Sequence, residues 1–263
     1  MVKTIVRVEF EKLLRKKSST LILLFMLTVQ IAAAYMNYIQ MTKNLDLATG
    51  FQVAAFSLKV SIQMLVLIIL VASCISLSEE ISSGTVKLIL TRSVKRCDFV
   101  LGKFLTLTFI STVLLILLYM LGFALGHIFG GLNVLKEGEY LLYSSRELTK
   151  DFVISMFFTI PPMISLIALG FFVSVLIKGA GGAVGTGIVV YFFLNILSQF
   201  DPIQDFLFTK YLSLPMDNVT KLVEGIYIDW SKHTVLNCGV SAVSIVVFMG
   251  LCVILFSKKD IWN

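Results

Sequence analysis

EEISSGTVKLILTRSVKRCDFVLGK, residues Glu79 to Lys103, is the only long polar interruption in the first half of a chain that otherwise reads as membrane spans. Two acids open it, a Ser-Ser-Gly-Thr turn follows, and an apolar-periodic run from Val86 to Leu90 leads to Arg92, Lys95, Arg96 and Lys103. The spacing predicts a short interfacial helix. Val86, Leu88, Ile89 and Leu90 give it one apolar face to bury against lipid or a partner groove, and its polar face stays open to the cytosol.

The surroundings of this stretch set the class. With 57% hydrophobic and 14% charged residues in 263, the chain is far from a soluble domain, which is roughly 45–50% apolar with about 25% charged. An all-α integral membrane protein is expected, with one transmembrane domain over residues 1–263. Six spans are predicted at 19–38, 57–78, 104–129, 152–177, 183–200 and 235–256, each close to the ~20 residues that cross ~30 Å of hydrocarbon. They nearly exhaust the chain, so no soluble catalytic domain of any size fits beside them.

Six spans put both termini on one side. That side carries 14 Lys and Arg, the other side 7, and Lys59 falls near the outer end of the second span. The asymmetry predicts cytoplasmic termini in a plasma membrane. It also accounts for the net charge of +6 through topology and anionic lipid. No basic cluster with interleaved aromatics exists beyond the span flanks, so nucleic acid is not expected as a partner.

Residues Val2 to Lys17 alternate Ile5, Val8, Leu13 and Leu14 with Lys3, Arg7, Lys12, Arg15, Lys16 and Lys17. The pattern fits an elbow helix lying in the membrane surface, or a basic flank that only fixes topology. The outer segment 201–234, with Tyr211, Pro215, Tyr227 and Trp230, either dips back into the bilayer or forms a surface loop. The four cysteines, Cys74, Cys97, Cys238 and Cys252, show no disulfide or zinc spacing.

Gly122, Gly126 and Gly130 recur every four residues, as do Gly181 and Gly185, which lets helix backbones approach closely within one subunit or between two. The Gly179 to Gly187 run lacks a Gly-Lys-Ser/Thr ending and is not a phosphate loop. Pro161-Pro162 removes two backbone donors from the fourth span and favours a kink. Polar residues inside spans are costly unless partnered, so Gln63, Asn195 and Ser198 are candidates for lining a path, or for interhelical hydrogen bonds without a transport role. Enzyme readings fail. Gly84 stands at the Arg position of an EExxxR protease motif, and His127 and His233 are expected on the opposite side from Glu79 and Glu80.

Glu80, Gly84-Thr85, Leu88, Leu90, Arg96 and Gly102-Lys103 resemble the E…GT…LL…P-x-x-R…GK stretch between the second and third spans of ABC transporter type-2 permeases. The terminal Phe256-Ser257-Lys258-Lys259-Asp260-Ile261 is similar to that family's closing F-x-[KR]-[KR]-D pattern, while Ser93 stands where the family usually has proline. The resemblance implies a bacterial exporter subunit with six spans, an elbow helix and a cytoplasmic coupling helix between spans two and three. It also implies a second permease chain, identical or related, and separate cytosolic ABC ATPase subunits. Glu79, Glu80, Gly84, Thr85, Leu88, Arg96 and Lys103 would then meet the ATPase. The second and fifth spans would line the path. No cofactor belongs to this chain; ATP and Mg would sit on the partner. Cargo of hydrophobic or amphipathic kind, a peptide antibiotic, a drug or a lipid-linked molecule, suits a path with few charges. The alternative class is a secondary transporter, or a membrane receptor or scaffold without transport.

A chain with no GxxxxGK[ST] motif has nothing to cradle a triphosphate. The purified chain alone is therefore expected to hydrolyse no ATP. Vanadate-sensitive phosphate release from it would overturn that expectation.

Overall fold

A computed structural model describes residues 2–43, 49–85, 95–132, 135–137 and 140–258. The chain is an all-α membrane protein with six helices long and apolar enough to span. In chain order they are α2 (Lys17–Lys43), α3 (Gly50–Ser82), α4 (Arg96–Gly130), α5 (Ser145–Leu176), α6 (Ala180–Leu197) and α8 (Ser231–Lys258). Ahead of them lies the amphipathic α1 (Val2–Arg15), the expected elbow helix, and between α6 and α8 lies α7 (Phe208–Val223). A small antiparallel hairpin, Leu135–Glu137 with Tyr140–Tyr143, precedes α5.

Most helices outrun their predicted spans. α3 begins at Gly50 rather than Ser57, and α4 at Arg96 rather than Phe104. The reason is physical: hydropathy marks the hydrocarbon thickness, whereas intrahelical hydrogen bonding carries a helix on into the polar boundary. The 33 residues of α3 cover about 50 Å at 1.5 Å per residue, well beyond the ~30 Å of hydrocarbon.

The core centres on α3 and α5, whose contact faces are stripped of bulk where they cross. A Cβ at Gly170 would run into the Ser73 hydroxyl. One turn further along α5, Ser174 Oγ accepts the backbone N–H groups of Leu77 (3.0 Å) and Ser78 (2.7 Å). The Gly122, Gly126 and Gly130 stripe faces α3 of the same chain: a Cβ at Gly122 would stand 2.8 Å from Leu58, and one at Gly130 2.7 Å from the Gly50 nitrogen. Gly181 and Gly185 have no such neighbour, while Gly187 packs on Cys74.

α5 stays helical through Pro161 and Pro162. Pro162 has no N–H to give Phe158, four residues earlier, and Asn237 of α8 supplies the missing donor, Nδ2 to the Phe158 carbonyl at 2.9 Å. Ser165 Oγ donates to the Ser241 carbonyl at 3.0 Å one turn away. A proline pair is tolerated mid-span because a neighbouring helix satisfies the carbonyl it frees.

The segment 201–234 turns back along the bundle. α6 starts at the same end as the last residue of α5 and runs 18 residues against the 32 of α5. At 1.5 Å per residue it stops about 20 Å short of the far end of α5. α7 fills the remaining height. Phe208, at its start, meets Phe248 of α8 at 6.2 Å between ring centroids, and Thr209 Oγ1 donates to the Leu194 carbonyl of α6 at 3.1 Å. Towards its other end Asp217 pairs with Lys59 of α3 at 2.9 Å. α6 and α7 thus form one crossing interrupted by a turn and the 3₁₀ segment Ile203–Phe206.

Two substitutions test this packing. Gly170→Val should cost about 1–3 kcal/mol by forcing α3 and α5 apart. Asn237→Val should cost roughly 0.6 and at most about 1.7 kcal/mol, the scale of an interhelical hydrogen bond in lipid. Unfolding of the detergent-purified chain reads both, and a melting temperature unchanged for Gly170→Val would contradict the close crossing.

Candidate functional site

The polar stretch from Glu79 to Lys103 ends in a compact knot of charge. Lys103 of α4 has a side chain only 4% exposed, and its Nζ is 2.9 Å from Glu80 Oε1 and 3.3 Å from Glu9 Oε1. It also donates to the Ser76 carbonyl at 3.3 Å and lies 5.4 Å from the centre of the Phe99 ring. Lys12 of α1 reaches the same Glu80 oxygen at 3.0 Å. Two ammoniums and two carboxylates therefore tie α1, α3 and α4 together at the end where the termini lie. Glu80 Oε2 is buried with no hydrogen-bond partner among the described residues.

Local sequence explains how three elements reach one point. Glu9 and Lys12 are three apart on α1 and share a face, and that face lies on α4. Gly102 makes room for it: a Cβ there would be 2.7 Å from Ile5 Cγ2. Phe10 meets Phe109 edge-on at 6.0 Å. Burial pulls the Lys12 ammonium down, but its hydrogen bond to Glu80 and the charges of Glu9, Glu80 and Glu79 outweigh that, so its pKa is raised above the ordinary 10.5.

The expected site residues divide. Glu80 and Lys103 point inward and hold each other, whereas Glu79 is exposed. After α3 the chain turns at Gly84, whose φ of 72° favours glycine, and Thr85 Oγ1 donates back to the Glu80 carbonyl at 3.3 Å. Leu88 and the coupling helix expected around it lie outside the described residues. Arg96 anchors the start of α4 elsewhere: its Nη1 donates to the Phe256 and Ser257 carbonyls at 3.3 and 2.9 Å. A cation on the last carbonyls of α8 is favoured by the helix dipole.

The path candidates are not brought into one cluster. Asn195 and Ser198 sit together where α6 ends, with Ser198 Oγ donating to the Asn195 carbonyl at 2.6 Å. Gln63 is exposed on α3, four residues from Lys59 and on the same helix face. Since Lys59 pairs with Asp217, a second polar stripe runs alongside, that of α7: Lys210, Ser213, Asp217, Lys221 and Glu224 recur three and four apart. The opposite face of α7, with Tyr211, Met216, Val219 and Leu222, is buried. Sequence reading missed this stripe, although its 3.6-residue period is visible; it also missed Glu9 and Asn237, which are single polar residues with no motif around them.

Comparison with known families revises one expectation. The model of a family described as "Protein of unknown function (DUF2705)" matches residues 13–262. The chain belongs to that family. The resemblance to ABC transporter type-2 permeases is thereby overturned, since the family match over nearly the whole chain is to this one. The physical reason lies in the motif: glutamate, a Gly-Thr turn, arginine and lysine are what a loop between two spans needs for its own stability. Here Glu80 and Lys103 are occupied by each other. No curated protein matches the sequence.

Lys103→Met, which leaves Glu9 without its partner across the helices and Glu80 with Lys12 alone, is expected to cost about 3–5 kcal/mol. The melting temperature in detergent checks it, and Arg7→Met, exposed on α1, serves as control. The raised Lys12 pKa gives a pH dependence of known sign. Its contribution is complete below the unfolded value, near 10.5, and is lost as pH climbs through the higher folded value. Protease cleavage between α1 and α2 should accelerate only above that range, and no longer do so in Lys12→Gln.

Proposed function

We propose that the chain is the membrane-spanning subunit of a transporter for hydrophobic or amphipathic cargo. It works with a second copy of itself or a related chain, in a bacterial plasma membrane with both termini in the cytoplasm. A separate cytosolic ATPase, carrying ATP and Mg, would drive it. One observation supports the transport reading above all: a crossing broken between α6 and α7, with a polar stripe along α7 that is exposed at Ser213 and Lys221 and meets Lys59 of α3 through Asp217. Irregular backbone and a polar face at membrane depth are tolerated only where they line a water-filled cavity or are covered by protein. Gln63, Asn195 and Ser213 would border that cavity.

Energy would enter at the opposite end. The stretch from Glu79 through Gly84, Thr85 and Leu88 to Arg96 connects α3 to α4 at that end, and the Glu80–Lys103 pair (2.9 Å) ties α3 to α4 there and, through Lys12, to α1. Force applied to the loop would move three helices together. A second reading rests on the same break. Transporters driven by ion gradients also carry interrupted helices near their substrate sites, and such a protein would need no ATPase.

Thiol accessibility tests the path. In a chain whose four cysteines are replaced by alanine, Gln63→Cys, Asn195→Cys and Ser213→Cys are expected to react with a membrane-impermeant maleimide at least tenfold faster than Phe193→Cys or Val246→Cys, both on exposed apolar faces. Equal protection of all five positions would remove the transport reading. Proteoliposomes then separate the drives: dye accumulation under a proton or sodium gradient with the chain alone favours the second reading.

A further inference from the structure

At the end of the bundle away from the termini, a cavity of about 670 Å³ opens between α3 and the first turns of α5. Its α5 wall is graded. Arg146 and Lys150 stand at the mouth, Val153 and Ile154 line the next turn, and Phe51 of α3 and Leu132 close the apolar side. The volume lies within the roughly 300–1,000 Å³ of small-molecule sites.

The two cations make the cavity unusual. They are four residues apart on one helix face, where like charges destabilise by about 0.2–0.5 kcal/mol, and they occupy the positive end of the α5 dipole, which disfavours them further. Neither side chain makes a hydrogen bond or ion pair among the described residues. The acids beside them hydrogen-bond to other groups, although Lys150 still acts on Asp151 through space. Glu147 closes the capping box by accepting the Ser144 N–H at 3.0 Å, and Asp151 accepts the Trp230 indole N–H at 3.1 Å. Trp230, an aromatic suited to the membrane boundary, marks the level of the cavity mouth.

We infer that this cavity binds an amphiphile with one anionic head, a phosphate or carboxylate, held by Arg146 and Lys150, and an apolar body lying against Val153, Ile154 and Phe51. The body covers Val153, which is 41% exposed, in the direction of the buried Phe51. A membrane phospholipid and a transported amphiphile share this chemistry. The inference stands whether or not the chain transports anything.

Native mass spectrometry of the chain from mixed phosphatidylglycerol and phosphatidylcholine micelles tests the lipid source. Dodecyl phosphate titrated into the chain in phosphatidylcholine nanodiscs, followed by Trp fluorescence, tests the soluble one. Selective retention of one phosphatidylglycerol, or saturable dodecyl phosphate binding, supports the site if Arg146→Gln/Lys150→Gln weakens it at least tenfold with melting temperature unchanged. Val153→Asp should weaken it comparably from the apolar side, and Lys16→Gln/Lys17→Gln, at the other end of the bundle, should leave it intact. Binding that the Arg146/Lys150 double variant retains, no binding of either probe, or inorganic phosphate competing as well as dodecyl phosphate would overturn it.

Discussion

Within the hydrocarbon no water is available to complete an unfinished hydrogen bond, and this requirement shapes most of the joints between helices here. Where Pro162 fails to donate, Asn237 donates instead (2.9 Å). Where α3 and α5 cross, Ser174 accepts from two backbone N–H groups of α3. In a membrane there is little hydrophobic gain when one apolar helix face leaves lipid for another, so close packing and such hydrogen bonds decide which helices stay together. Gly170 against Ser73 and Gly50 against Gly126 and Gly130 supply the closeness.

The most demanding polar group is the ammonium of Lys103. A nearly buried cation is retained only if counter-charge and hydrogen bonds surround it, and Glu80, Glu9 and the Ser76 carbonyl meet that need from two further helices. Because one cation is shared among three elements, none can shift far without exposing it. The knot ties the elbow helix α1 to the bundle through Glu9 and Lys12. It also leaves the charge at this end of the chain with an internal use, which is why a motif composed of the same residue types pointed to a family that the chain does not belong to.

What sequence reveals here follows from which forces are local. Spans are legible because twenty consecutive apolar residues are a property of one segment, and α1 because its polar and apolar residues alternate within one helix. Glu80 and Lys103 could be singled out as charges next to spans, but their pairing links α3 to α4, and the third partner, Glu9, sits about seventy positions away from Glu80 with nothing to mark it. Asn237 is legible only once Pro162 is known to lie beside it. The 201–234 segment left two readings open, re-entry into the bilayer or a surface loop, because its apolar and polar residues suit both; the contact of Phe208 with Phe248, which no periodicity encodes, sets the start of α7 against α8.

The same physics determines which exposed residues speak for a missing neighbour. Only Ala183 and Gly187 of α6 are buried, and Val189, Phe192, Phe193 and Ile196 stand outward. In water such a face would demand cover, but lipid tails solvate it at no cost, so it says nothing about a partner. Gln63 on α3 and Ser213 on α7 are different. Each lies one turn deeper than the Lys59–Asp217 pair, since α3 descends and α7 ascends through that level. Lipid cannot serve the Gln63 amide at that depth, whereas the Ser213 hydroxyl donates to the Lys210 carbonyl of its own helix at 3.3 Å. Water entering beside α7, or polar groups of a second chain, would have to serve Gln63, while the bare apolar surface of α6 can remain in the bilayer.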